Sequence, residues 1–322
     1  MTLLTCLTCS ATGIGVWAQA GANEPVAPLE PPAHLDPAKV ELGRRLFGDP
    51  RLSRDNALSC SICHDLRTGG DDGRMRSPGA GGWPLEFNTP SIFNVAGNSR
   101  LNWRGNFRTL EEQNESVLLN AQIMNTDWNE LLSRLRGDPS YRKDFRASYG
   151  SDPTRTNVLD ALTTFERSLV TPNSRFDRWL RGARDAMSPE EEHGYQLFKS
   201  YGCVACHQGA NFGGNLFQQF GIFEDPFGRQ TQAETGQRDT STEIASDRPV
   251  FRVPSLRNVA VTAPYFHNGY TSSLAQAVEI MARSQLGRQL PQDDVGLIVR
   301  FLNTLTGEYE GRRLEDAGRG PQ

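Results

Sequence analysis

Two Cys-x-x-Cys-His pentapeptides, a helix-forming segment before each, and a second half that echoes the first predict a mainly α-helical chain of two related domains. The pentapeptides are Cys60-Ser-Ile-Cys63-His64 and Cys203-Val-Ala-Cys206-His207. Two thiols at this spacing can each form a thioether with one haem vinyl group, and the adjacent His then reaches the iron as its proximal ligand. A zinc site or a thioredoxin-like redox pair also uses paired cysteines, but neither needs a His placed identically after both pairs. The expected fold is therefore two cytochrome c-like haem domains related by internal duplication, with long irregular loops and two covalently bound haem c groups.

The two leading helices have recognisable starts. Asp36-Pro37 opens a segment containing Leu42-Gly43-Arg-Arg-Leu46-Phe47, and Ser188-Pro189-Glu190 opens one containing His193-Gly194-Tyr-Gln-Leu197-Phe198. An N-cap followed by proline at the first helical position favours a helix at both places. Beyond the pentapeptides the halves agree without a gap at an offset of 164, pairing Pro90-Ser91 with Pro254-Ser255, Asn94-Val95-Ala96 with Asn258-Val259-Ala260, and Gly105 with Gly269. Thr109-Leu-Glu-Glu112 and Ser273-Leu-Ala-Gln276 have the form of capping boxes, so a helix is expected to open at each. The join falls near Thr171-Pro-Asn-Ser174, after an apolar helical stretch from Val158 to Leu169, and residues 225–250 read as a long polar surface loop.

Composition bounds the partners. The 322 residues carry 34 basic and 38 acidic side chains, and nothing in that balance suggests nucleic acid. Cys6 and Cys9 fall in an apolar start ending in Ala18-Gln-Ala20, which reads as a secretory signal over residues 1–20, although it lacks an initial Lys or Arg; a short membrane anchor is the other reading. No later run is apolar enough to span a bilayer. The expected organisation is an N-terminal haem domain over residues 21–170 and a C-terminal one over 171–322, in the periplasm, where haem of this type is attached.

Superposing the halves makes their irons unequal. Met281 lies seven residues after Leu274, near the same helical face, and a Met thioether is a standard sixth ligand that raises the potential of an electron-transfer haem. Val117 stands at the equivalent N-terminal position and cannot bind iron, while Gln113 answers Ala277. The alternative for Met281 is an ordinary core methionine.

These residues, with Asn88-Thr-Pro-Ser91, Trp103 to Gln113 and Thr262-Ala-Pro-Tyr-Phe-His267-Asn-Gly, resemble the bacterial di-haem cytochrome c peroxidase and MauG superfamily over nearly the whole mature chain. The resemblance implies a peroxidatic N-terminal haem and a C-terminal haem that takes in electrons. It implies that Met281 is the distal ligand of the latter, Trp103 an electron relay between haems, and Gln113 a peroxide-pocket residue. Asn88, Thr262 and Pro264 match an inter-domain calcium site, and oxygen ligands suit that hard cation. On the residues alone, Trp103 could simply pack beside haem, Asn88 could cap a turn, and His267 reads as a structural hydrogen-bonder.

Two departures from the family stand out. Many members place a distal His after the first pentapeptide, but no His occurs from Asp65 to Phe87, and Gly81 fills the matching slot. The family's acid–base Glu would fall about ten residues after Gln113, where Ile123 stands, with Glu115 nearby. The pattern through Met124 and Trp128 also resembles a MauG-like subgroup paired with copper-binding partner proteins, although MauG has Tyr where Met281 stands. The function implied is reduction of hydrogen peroxide with electrons from a small periplasmic cytochrome c or blue copper protein. Peroxide-dependent oxidation of a specific partner protein and non-catalytic electron transfer are the alternatives, and homodimers are common in the family.

Overall fold

The computed structural model describes residues 24–32, 34–227 and 249–314. The expected signal at residues 1–20, with Cys6 and Cys9, lies outside the described residues, as does most of the 225–250 loop.

Helix dominates, as the sequence requires. In the first half α1 (Pro37–Phe47) leads to the short α2 (Cys60–Cys63), followed by α3 (Leu110–Leu119), α4 (Trp128–Gly137), α5 (Pro139–Tyr149) and α6 (Arg155–Ser168). In the second, α7 (Arg175–Leu180) and α8 (Pro189–Ser200) precede the Cys203 turn, and α9 (Leu274–Leu286) and α10 (Gln292–Asn303) follow it. Two small antiparallel pairs complete the described structure. One joins β1 (Phe217–Gln219) to β2 (Val250–Arg252), with Phe217 opposite Arg252; the other joins β3 (Glu308–Tyr309) to β4 (Arg312–Arg313).

The expected helix starts are present. The Asp36 side chain accepts from the Ala38 and Lys39 N–H groups, and both Thr109 and Ser188 form reciprocal capping boxes. Ser273 corrects the expectation. Its hydroxyl accepts from the Gln276 N–H, but the Gln276 side chain instead accepts a proton from Thr271 Oγ1, so only half of the box forms.

Two apolar cores form, one around Leu46, Phe47, Phe145 and Phe165 and joined by Leu314, the other around Phe176, Tyr195, Phe198 and Phe301 and joined by Val26. Glycine sets the central helix crossing in both. A Cβ on Gly43 of α1 would lie 2.6 Å from the Phe165 Cβ on α6, and closer still to the Ala161 carbonyl oxygen. A Cβ on Gly194 of α8 would lie 3.0 Å from the Phe301 Cβ on α10, and closer still to the Leu297 carbonyl oxygen. Close packing leaves no room for an added methyl at either crossing.

The halves meet through reciprocal contacts at the 164-residue offset. The Asn88 N–H donates to the His267 carbonyl (2.7 Å), and the Arg252 N–H donates to the Trp103 carbonyl (2.9 Å). Substituting each residue by its counterpart turns one bond into the other. Asn94 and Asn258 both adopt left-handed backbone (φ +60° and +64°) and both donate Nδ2 to the Thr171 hydroxyl, at 2.8 and 2.9 Å. Thr171 is buried at the expected join, so one hydroxyl receives an equivalent side chain from each half. The isolated bridges Leu101–Phe107 and Tyr265–Thr271 fall at the same offset.

Overpacking at the glycine crossings costs roughly 1–3 kcal/mol. Gly43→Ala and Gly194→Ala are each expected to lower Tm by several degrees while leaving haem content intact. Unchanged thermal unfolding of both variants contradicts the crossing geometry.

Candidate haem sites and the residues between them

Both pentapeptides form a tight turn that presents its His in the same way. The His64 Nδ1 faces the Gly70 carbonyl at 3.0 Å, and the His207 Nδ1 faces the Phe212 carbonyl at 3.1 Å. A carbonyl at this distance keeps the proton on Nδ1 and leaves the Nε2 lone pair for a metal. Phe47 and Phe198 hold the two imidazoles from matching positions, each with ring centroids 6.4 Å from its His. Desolvation pushes the His64 imidazole down and the His207 imidazole down to about 4, so both are neutral ligands at pH 7. Burial also pushes the Cys60 thiol up to about 12 and the Cys203 thiol up to about 11. Such thiols resist ionisation. Cys60, Cys63, Cys203 and Cys206 form no disulfide.

The C-terminal site is a cavity lined by His207, Cys203 and Cys206 and by Met281, Ala277 and Leu274 of α9. Met281 thus faces the His207 space instead of filling the core. The donor set and the apolar lining fit a haem that His207 and Met281 would ligate. Its chemistry when bound is one-electron storage and transfer. At the N-terminal site, Val117 packs against the first apolar core from α3. Gln113, one turn earlier, has a buried Oε1 with no hydrogen-bond donor. An orphaned acceptor of this kind is costly unless something absent from the protein chain satisfies it.

Trp103 comes from the first half yet lines the cavity of the second. Its Nε1 donates to the Asn88 carbonyl at 2.8 Å, and its ring lies 6.3 Å from His267. Phe87 and Phe251, counterparts in the repeat, complete the cluster: the Phe251 and His267 rings stack at 4.2 Å. The His267 imidazole packs among aromatic rings, and burial, reinforced by Arg76 and Arg104, pushes it down to about 4.

Asn88, Thr262 and Pro264 line the same cavity. The Asn88 amide donates Nδ2 to the Arg74 carbonyl at 2.8 Å, which aims its Oδ1 away from that bond. Among the described residues no hydrogen bond reaches that oxygen or the carbonyls of Thr262 and Pro264. Three such acceptors fit a hard cation.

The loop with Gly81 has left-handed glycines at 81 and 82, and its Ala80 N–H bonds the Gln122 carbonyl at 2.9 Å. The slots of the two family departures, Gly81 and Ile123, are therefore on adjoining segments. Glu115 is committed elsewhere. It accepts from Trp128 Nε1 and pairs with Arg155, which hold its carboxyl below the usual range. Sequence reasoning missed Glu166. This α6 residue is buried, accepts from the Asn114 Nδ2 at 3.0 Å, and interacts electrostatically with the Cys60 thiol. Desolvation pushes it up to about 8, with Glu111 adding to the shift and Arg167 and Asn114 opposing it. Its place at the end of an apolar helical run was the available signal.

Fold and sites together define a c-type protein built to carry two haems. A family model described as di-haem cytochrome c peroxidase matches residues 37–185. Cytochrome c551 peroxidase of Nitrosomonas europaea is 39% identical over 91% of this chain and 87% of its own length. Cytochrome c peroxidase Ccp of Escherichia coli is 42% identical over 89% of this chain, which spans 62% of that relative. A solved MauG-like protein associated with microbial copper homeostasis superposes with a TM-score of 0.72 at 27% identity, covering 87% of this chain and 94% of that one. The chain belongs to the di-haem cytochrome c peroxidase family and is a di-haem peroxidase.

Glu166 makes stability depend on pH. Its folded pKa lies above the ordinary carboxyl value, so the folded chain holds a proton that the unfolded chain has released. That contribution is complete below the unfolded value and is lost as pH rises through about 8, at up to ~1.4 kcal/mol per pH unit. Glu166→Gln is expected to flatten the decline in denaturant stability between pH 5 and pH 8. Identical slopes in variant and wild type contradict the assignment.

Proposed function

We propose that the chain reduces hydrogen peroxide at the haem held by Cys60, Cys63 and His64. Electrons enter through the haem held by Cys203, Cys206, His207 and Met281. The overall reaction consumes peroxide, two electrons and two protons and releases two waters. The observation that carries the reading is one repeat position filled two ways, Met281 facing the His207 space and Val117 set in the first core. A thioether closes one iron; a valine leaves the other open to a small substrate.

The chain's own residues divide the remaining work. The buried Gln113 Oε1 suits a hydroxyl donor, so Gln113 orients peroxide. Trp103 is the relay, because its ring belongs to the first half and faces the second haem cavity. Asn88, Thr262 and Pro264 hold calcium against that wall, which stiffens the contact between the halves. The halves are read as duplicated domains over residues 21–170 and 171–322, supported by the matched helix starts, glycine crossings and bridges. A periplasmic location is supported by the c-type attachment pattern and the signal-like start. No helix among the described residues is long and apolar enough to cross a membrane. The donor is a small cytochrome c or blue copper protein, and a homodimer is the assembly implied by the family.

A second reading, peroxide-dependent oxidation of a specific partner protein, is favoured by glycine at 81 where a distal His would stand. It is also favoured by likeness to a solved MauG-like protein associated with copper homeostasis.

Steady-state peroxide reduction with a reduced cytochrome c tests the main reading. Gln113→Leu is expected to lower kcat/KM for peroxide by about a hundredfold without changing haem content. Wild-type turnover absent with every soluble donor, but present with a partner protein, transfers the activity to the second reading. For the cation, one calcium per chain is expected by emission spectroscopy in wild type and none in Asn88→Ala. Equal metal content in the two removes Asn88 from the site.

A further inference from the structure

We propose that Arg252 is the charge partner of a haem propionate in the C-terminal cavity, and that this pair raises the potential of the His207 haem. The inference rests on the haem reading of His207 and Met281, whose failure would show separately as missing c-type haem absorbance.

Arg252 closes β2 and lines the cavity beside Trp103, with only 5% of its surface exposed. Its backbone is fixed by the Trp103 carbonyl, and its Nε donates to the Asn102 carbonyl at 3.1 Å. One Nη1 contact reaches the Val253 carbonyl at 3.4 Å, and no described residue accepts from Nη2. A guanidinium has five N–H donors, so most of this fork is unclaimed by the described chain. No carboxylate faces it among the described residues, and burial alone pushes it down to about 10.

Arg257 shows what the same cavity does with a satisfied cation. It pairs with the buried Asp177 at 2.8 Å and donates to the carbonyls of Ala210 and Ala27. Two buried guanidiniums therefore line one cavity, and only Arg257 has a counter-charge among the described residues. A buried charge is retained only where it is paired. The ligand expected in this cavity carries carboxylates of its own, and a planar guanidinium fork matches a carboxylate in two parallel bonds. Asn88, the counterpart of Arg252 in the repeat, is neutral, so the device belongs to one haem. Positive charge beside a haem favours its reduced form.

The test is redox titration of the purified holoenzyme, wild type against Arg252→Gln and Arg252→Lys. The glutamine variant is expected to shift the His207 haem toward the oxidised form by at least tenfold in the electron equilibrium, 59 mV for one electron. The His64 haem should be unmoved, and the lysine variant should stay within tenfold of wild type. A folded glutamine variant with both haems and an unchanged potential overturns the proposal. If that variant does not accumulate, resonance Raman of the lysine variant decides. A single shifted propionate-bending band supports the pair, and unchanged bands overturn it. A wild-type potential that responds to added phosphate or chloride assigns the cation to a free anion and also overturns the proposal.

Discussion

The structure depends on one reciprocal contact, in which Asn88 bonds the His267 carbonyl and Arg252 bonds the Trp103 carbonyl. Because the two bonds exchange under the repeat, the halves sit about an approximate twofold relation, like subunits of an isologous dimer fused into one chain. The four side chains adjoining or making that contact are Phe87, Trp103, Phe251 and His267, and their rings pack together. An aromatic cluster at the seam gives the two candidate haem sites a dry boundary, the place where the proposed electron transfer would cross.

A symmetric frame makes each asymmetric substitution informative. The frame gives both halves the same imidazole presentation, from the Nδ1–carbonyl contact to the supporting phenylalanine. Against that identity, Met281 lines the His207 cavity while Val117 packs against the first core, the difference on which the proposed inequality of the irons rests. Trp103 and His267 face one another across the seam, one a large indole and the other an imidazole kept neutral by burial. Asn88 and Arg252 differ in charge at equivalent places, one a neutral amide and the other a buried cation. On the proposed reading, duplication supplies two scaffolds and a few point differences divide the labour.

Much of this was legible in the sequence because its signals are local. The Cys-x-x-Cys-His spacing, the proline-led helix starts and Thr109-x-x-Glu112 are short-range patterns, and the helix starts and the capping box fold as expected. The half-formed box at Ser273 shows the limit: Gln276 had a better partner in the nearby Thr271 hydroxyl. The aromatic surroundings of His267 were not legible, because a lone histidine does not announce that rings from distant segments will pack around it. Glu166 and Arg252 were invisible for the same reason. A charged residue becomes exceptional only once tertiary packing removes its water, and that depends on residues far away in the chain. The glycine crossings were visible as aligned glycines, but their purpose needed the facing helix.

The central claim is inequality of the two irons, and the most direct measurement is electron paramagnetic resonance of the ferric, as-isolated enzyme. One high-spin and one low-spin haem are predicted, with Met281→Ala converting the low-spin signal to high spin. Two low-spin signals in the wild type, each from a ligand supplied by the chain, would contradict the account.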